Sequence, residues 1–366
     1  MNLMNLANQP LKLLVNRVRR PFKGGMLLDQ WQNSLEPKDG FCPEEWVAST
    51  IEARNPHPIP DEGLSRVCLP NGAQPTLREI IASSPEDFLG KKHFQKYRAN
   101  MAVLVKVLDS CSRLMIQVHP DRVFAKEILN SDFGKTEAWV ILGGRVVNGE
   151  EPYVLLGFQP GITRQKWQTL FEKQDIPGMI EALHRFPVKP GEVFLVEGGV
   201  PHAAGSGCFF MEIQEPTDYT MRVERISPSG AEVSAEQLHQ GIGFEKMLDC
   251  FKYEGMPAED VLKRWQVKPR TESLSSGGSY TRLIGYQDTP FFAMNRIVVA
   301  EKYEMLAGGH FSVVVVLRGE GLLHWDGGST EISGSDEIFI PPISGVITWE
   351  PKSGSVLELI QCLPPQ

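Results

Sequence analysis

Gln117 and His119 stand one residue apart in MIQVHPD, Glu137 follows in GKTEAW, and His202 lies far downstream in GGVPHAAGSG. Imidazole and carboxylate are the groups that hold a borderline metal such as zinc, and a catalytic site leaves one position open for substrate. Residues two apart on a strand face the same side, so Gln117 and His119 enter one cavity. Glutamine is a neutral ligand. It leaves more positive charge on the ion for Lewis-acid work on a substrate oxygen. Glu137 opens the next strand and offers the carboxylate, while His202 completes the set from a strand end on the opposite wall. A plainer reading stands beside each: a polar QxH pair, a surface ion pair between Glu137 and Lys135, a turn histidine after Pro201. Spacing alone leaves both readings open.

Such a set needs strands to hold it. A chain of 366 residues exceeds the usual size of one hydrophobic core, so two domains are expected. With 34 Gly and 27 Pro the chain carries many turns, hence many short strands. AVLVKVLD (102–109) and RLMIQVHP (113–120) read as a hairpin. EAWVILGG and EPYVLLGFQ read as neighbours across a turn at 143–149. The period then changes: Trp167, Leu170 and Phe171, then Met179, Ile180 and Leu183, predict a helical insert over 161–186 broken at Pro177. Strands return in EVFLVE, CFFMEIQ and YTMRVE. Helical spacing reappears in EQLHQGIGFEKMLDCF and EDVLKRW. SLSSGGS (273–279) reads as a linker. The remainder is purely β, with strands at sandwich or jelly-roll spacing. SGSDEIFIPP repeats the layout of VKPGEVFLVEGGVPH, which suggests a duplicated barrel.

The net charge of -8 and the lack of a basic stripe argue against nucleic acid. Arg17, Arg19 and Arg20 read as a short cluster on a solvated face or at a loop contact. The six cysteines show no ligand spacing and fit a reducing compartment. No run of about 18 apolar residues and no signal peptide is visible, so a cytoplasmic location without a membrane span is expected.

QVHPD, GKTEAW, VEGGVPHAAGSG and MEIQEPTDYTMRV, in that order, resemble the type I mannose-6-phosphate isomerases, in their compact bacterial form. The resemblance implies a mainly β fold of two cupin jelly-roll barrels with a short helical insert and connecting helices. Residues 1–230 would be the metal-binding cupin, 231–272 a helical connection and 273–366 a metal-free cupin. It implies one Zn2+ per chain on Gln117, His119, Glu137 and His202. It implies aldose–ketose isomerisation of mannose 6-phosphate and fructose 6-phosphate through a cis-enediol. Arg222 matches the family's active-site arginine, and Lys135 and Glu212 match its candidates for moving the proton. Lys106, Glu45 and Trp46 match positions lining the substrate cleft. A small sugar phosphate is then the only partner, with the chain a monomer or weak homodimer.

The sequence departs from that family at LMIQVHP, where Met115 replaces a serine of the phosphate end. Methionine donates no hydrogen bond to phosphate. VERIS after Arg222 also departs from the usual continuation. Two alternatives follow: a divergent cupin isomerase acting on another sugar, and a sugar-binding cupin without turnover. An iron-dependent cupin oxidoreductase would be expected to keep an HxH pair.

Overall fold

The computed structural model describes residues 3–55, 57–274, 278–306, 308–342 and 345–366. The chain is mainly β, with four antiparallel sheets among the described residues. Seven strands form the large N-terminal sheet, in the order Gln266–Val267, Val193–Val196, Glu137–Gly144, Cys208–Gln214, Leu104–Asp109, Glu44–Val47 and Arg17–Val18. Five form the smaller one, in the order Met221–Arg222, Gln117–Val118, His202–Ala204, Tyr153–Phe158 and Leu183–Pro187.

These two sheets pack face to face. Trp139, Ile141, Phe194 and Phe210 from the large sheet meet Val154, Leu156 and Ala204 from the small one in a single apolar cluster. The outer face of the small sheet is covered by helices, through Trp167, Phe171, Met247 and Phe251. The outer face of the large sheet carries Val105, Val107, Met211 and Ile213. It packs on a C-terminal sheet through Val313, Val315, Phe339 and Ile360. Strand Ser312–Arg318 shows the period plainly: Val313 and Val315 face the N-terminal half, while Val314 and Val316 face the C-terminal interior with Trp349. Strands buried on both faces read as continuous apolar runs for this reason.

Two expected hairpins are not formed. Leu104–Asp109 pairs with Cys208–Gln214 and Glu44–Val47, whereas Gln117–Val118 pairs in the other sheet with Met221–Arg222 and His202. Glu137–Gly144 and Tyr153–Phe158 likewise lie in opposite sheets, with only a Val147–Glu150 bridge at the turn. Alternation gives the face of each strand but not its partner. The chain therefore crosses between sheets where a hairpin looked simplest.

The helical insert is Arg164–Lys173 and Ile176–Glu181. The Thr163 side chain accepts from Lys166 N at 3.2 Å and Asp175 from Gly178 N at 3.1 Å, so each helix has its own N-cap. Pro177 sits in the first turn of the second helix, where its missing N–H costs nothing. The break falls at Gln174–Asp175 instead. Leu183–Pro187, expected to be helical, is an edge strand.

Helices Ala235–His239, Phe244–Asp249 and Ala258–Trp265 fall within 231–272, together with strand Gln266–Val267, which joins the large N-terminal sheet, and the start of Arg270–Ser273, which joins a C-terminal one. The linker expected over 273–279 falls partly on 275–277, outside the described residues. Its flanks pair, Ser273 opposite Ser279. Leu11–Lys12 adds an edge strand to the C-terminal sheet, so the N-terminal segment spans both halves. No described helix is long and apolar enough to cross a membrane.

Candidate metal centre and cleft

Two cross-strand rows build the site. In the small sheet Arg222 stands opposite Gln117, and Gln117 opposite His202. In the large sheet Trp46 stands opposite Lys106, Lys106 opposite Glu212 and Glu212 opposite Trp139. Both rows point into the space between the sheets. Glu137 shares the inward face with Trp139, two residues along.

His119, Glu137 and His202 come together, fully buried, with one ligand atom of each within 4.8 Å of the others. His119 Nδ1 lies 2.9 Å from the Tyr219 carbonyl and His202 Nδ1 2.9 Å from that of Val200. A ring that donates from Nδ1 presents its Nε2 lone pair. The two Nε2 atoms lie 3.1 Å and 3.4 Å from the Glu137 carboxylate. Neither Glu137 oxygen accepts a well-formed hydrogen bond. Burial and the Lys135 cation push His119 down to about 3, so it is a neutral ligand at ordinary pH. Burial alone would raise the Glu137 carboxyl. The Lys135 ammonium overrides it and holds the group well below the usual carboxylate range. The Gln117 amide lies 3.2 Å from His202 Nε2, and a flip of that amide presents its carbonyl oxygen. Two neutral imidazoles, an ionised carboxylate without a donor and an amide make a donor set that fits a divalent cation.

Lys135 Nζ lies 3.1 Å from Glu137 Oε2 and 2.8 Å from His119 Nε2. Burial, with Lys106 nearby, lowers its pKa. Glu212 is the carboxylate pushed the other way. Burial, then the charge of Glu137, raises it. Its Oε2 accepts from Trp139 Nε1 at 3.2 Å, and Lys106 Nζ lies 3.0 Å from Oε1. Lys106, opposed by burial but facing Glu212 and Glu44, stays charged with a raised pKa.

Arg222 forms no ion pair among the described residues. Glu224 is taken by Arg113 through two bonds of 2.7 Å, and Asp218 by Arg20 through two of 3.2 Å. Arg222 donates only to the carbonyls of Thr220 and Gln237. Burial brings it down to about 10, still a cation at neutral pH.

Glu45 and Trp46 cannot both line the cleft, because adjacent strand residues face opposite ways. Trp46 faces inward, beneath Arg20 and Lys106 at 4.9 Å and 5.1 Å from its ring. Glu45 faces the C-terminal half, where Asn16 N and Gln32 donate to it. Glu44 takes the cleft position. It accepts from Arg20 Nε at 2.9 Å and Trp46 Nε1 at 2.7 Å. Arg20, read as part of a cluster on a solvated face or at a loop contact, is buried in the cleft between Glu44 and Asp218. The strand period counted back from Trp46 would have found Glu44. Nothing in the sequence marked Arg20 or Asp218.

The cleft thus gathers Arg20, Lys106, Lys135 and Arg222 against Glu44, Glu137, Glu212 and Asp218. Four cations balance four anions, so a divalent ion would leave a positive cleft suited to an anionic substrate.

No family model matches the chain. It is 26% identical over 260 residues to the mannose-6-phosphate isomerase of Streptococcus mutans, covering 69% of this chain and 73% of that protein. It is 26% identical over 219 residues to mannose-6-phosphate isomerase ManA of Bacillus subtilis, covering 60% of this chain and 62% of that protein. The crystal structure of the mannose 6-phosphate isomerase from Bacillus subtilis superposes with a TM-score of 0.74 at 21% identity, over 96% of this chain and 99% of that one.

Proposed function

We propose that this chain, similar in sequence and in fold to mannose-6-phosphate isomerases, is an aldose–ketose isomerase that interconverts mannose 6-phosphate and fructose 6-phosphate. The observation that carries the reading is the opposed tuning of two buried carboxylates in one cleft. Glu137 is held ionised beside two neutral imidazoles, while burial and the charge of Glu137 push Glu212 the other way. In this reading the two halves are cupin jelly rolls, and Gln117, His119, Glu137 and His202 hold one Zn2+. The bound ion would supply Lewis-acid polarisation of the substrate oxygens.

The remaining work belongs to side chains. Glu212 takes the proton from C2 of the aldose and returns it to C1 of the enediol. One bond to carbon breaks and another forms, with no net oxidation. A raised pKa makes it a stronger base than an exposed carboxylate. Trp139 and Lys106 fix its orientation. The hydroxyl proton passes between O2 and O1, and Lys135, with its lowered pKa, is the dissociable group beside that path. Arg222, free of carboxylates, meets the charge that develops on the enediolate. Glu44 and Trp46 hold Lys106 and Arg20 in register.

A coupled assay of mannose 6-phosphate conversion by the zinc-loaded protein tests the reading. Exchange of the C2 proton with solvent should accompany turnover and vanish in Glu212→Gln. Failure to convert any sugar phosphate, or to exchange that proton, would overturn it.

A further inference from the structure

The outer end of the cleft has no part in the proton transfer. Past Met115 the cleft opens into a vestibule lined by Arg54, Asn55 and Gln237 among others. Arg20, Met115 and Arg222 border both the inner chamber and this vestibule, so they form the waist between them. Three guanidinium groups therefore gather at one mouth. Arg20 is occupied by Glu44 and Asp218, whereas Arg222 reaches only backbone oxygens. Arg54 is exposed and has no ion pair among the described residues. Glu236 stands on the same rim and is exposed.

Arg54 is placed rather than loose. Its backbone N–H donates to Asp218 Oδ2 at 3.0 Å, on the carboxylate that grips Arg20. Its guanidinium lies 4.3 Å over the Tyr219 ring, and the Tyr219 carbonyl holds His119. One short segment thus ties the vestibule arginine to the metal end. A guanidinium stacked on a ring keeps its donor fork open at the edge, the geometry that matches phosphate.

We propose that Arg54 forms an anion subsite for the phosphate at the far end of a phosphorylated sugar. The proposal rests on the isomerase reading and deepens it. The reacting carbons lie in the inner chamber, the sugar passes the waist, and Met115 packs against its middle. The hydroxyl lost at Met115 is replaced by charge further out. The site therefore selects phosphorylated over free sugars.

Arg54→Gln and Arg54→Glu test this, since an exposed side chain can be changed without emptying a core. Arg54→Gln should raise KM for mannose 6-phosphate and Kd for fructose 6-phosphate about tenfold, with kcat within about twofold, as for one charge-assisted hydrogen bond. Arg54→Glu should raise both further, and binding of unphosphorylated fructose should not change in either. Unchanged affinity for fructose 6-phosphate in both variants would overturn the subsite. A fall in kcat at unchanged affinity would overturn it too, by assigning Arg54 to holding Tyr219. A wild type that binds fructose 6-phosphate without turnover would sink the isomerase reading alone, and the binding ratios would still decide the subsite.

Discussion

Glu45→Gln separates two roles for one carboxylate. Burial pushes Glu45 up to about 7, against the help of Gln32, Asn16 N and Arg17. Glu337, across the packed sheets, has no hydrogen-bond donor on either oxygen among the described residues. Burial, then Glu45 and Asp336, pushes it well above its ordinary range. An acid whose pKa is raised on folding favours the folded state at low pH. That contribution is whole below the unfolded value of about 4.3 and is lost as pH rises through about 7. A rise of between two and three units corresponds to about 3 kcal/mol lost by the wild type across that window. Glutamine does not titrate, so Glu45→Gln should escape this loss. Thermal unfolding at pH 5 and pH 8 is the assay, with the midpoint of the variant minus that of the wild type as the readout. That difference should move in favour of the variant at pH 8, while KM for mannose 6-phosphate stays unchanged. A difference that is the same at both pH values would refute the linkage. A large rise in KM would refute the placement of Glu45 outside the cleft and return it to the substrate.

Glu137→Gln keeps the shape of the ligand set but removes its charge. Bound metal measured by elemental analysis should fall well below one ion per chain, and added chelator should lower the unfolding temperature of the wild type but not that of the variant. Met115→Ser removes a buried side chain at the waist, so it should destabilise the protein by about 2 kcal/mol in denaturant titrations. It should change KM for mannose 6-phosphate less than Arg54→Gln does. A larger gain in affinity from the serine would place the phosphate at the waist.

Much of the candidate site was legible because strand parity is a local property. Gln117 and His119 share a face by their spacing, and so do Lys135 and Glu137 through the run that opens the strand. The helical insert was readable from its apolar spacing, but not its ends: the Thr163 and Asp175 side chains cap two helices that meet at Gln174–Asp175 rather than at Pro177 and stop at Glu181. Partners were not readable. The glycine-rich turns at 143–149 suit a hairpin, yet the strands on either side enter different sheets.

The clearest loss was at PEEW. Glu44 to Val47 is buried on both faces, so polarity carries no sign of which face meets the cleft. Only the C-terminal sheet, packed on the outer side, decides that Glu45 faces Glu337 and Glu44 faces Arg20. The sequence by itself determined which residue types could hold a divalent ion, the order in which they occur and the class of fold that carries them. Tertiary structure decided their electrostatics. Glu137 and Glu212 are the same residue type on neighbouring strands; burial raises both, Lys135 overrides it at Glu137, and at Glu212 burial and the charge of Glu137 prevail over Lys106. The same holds for Arg222 and Arg54. Among the described residues neither forms an ion pair, because Arg113 and Arg20, distant in the chain, hold Glu224 and Asp218.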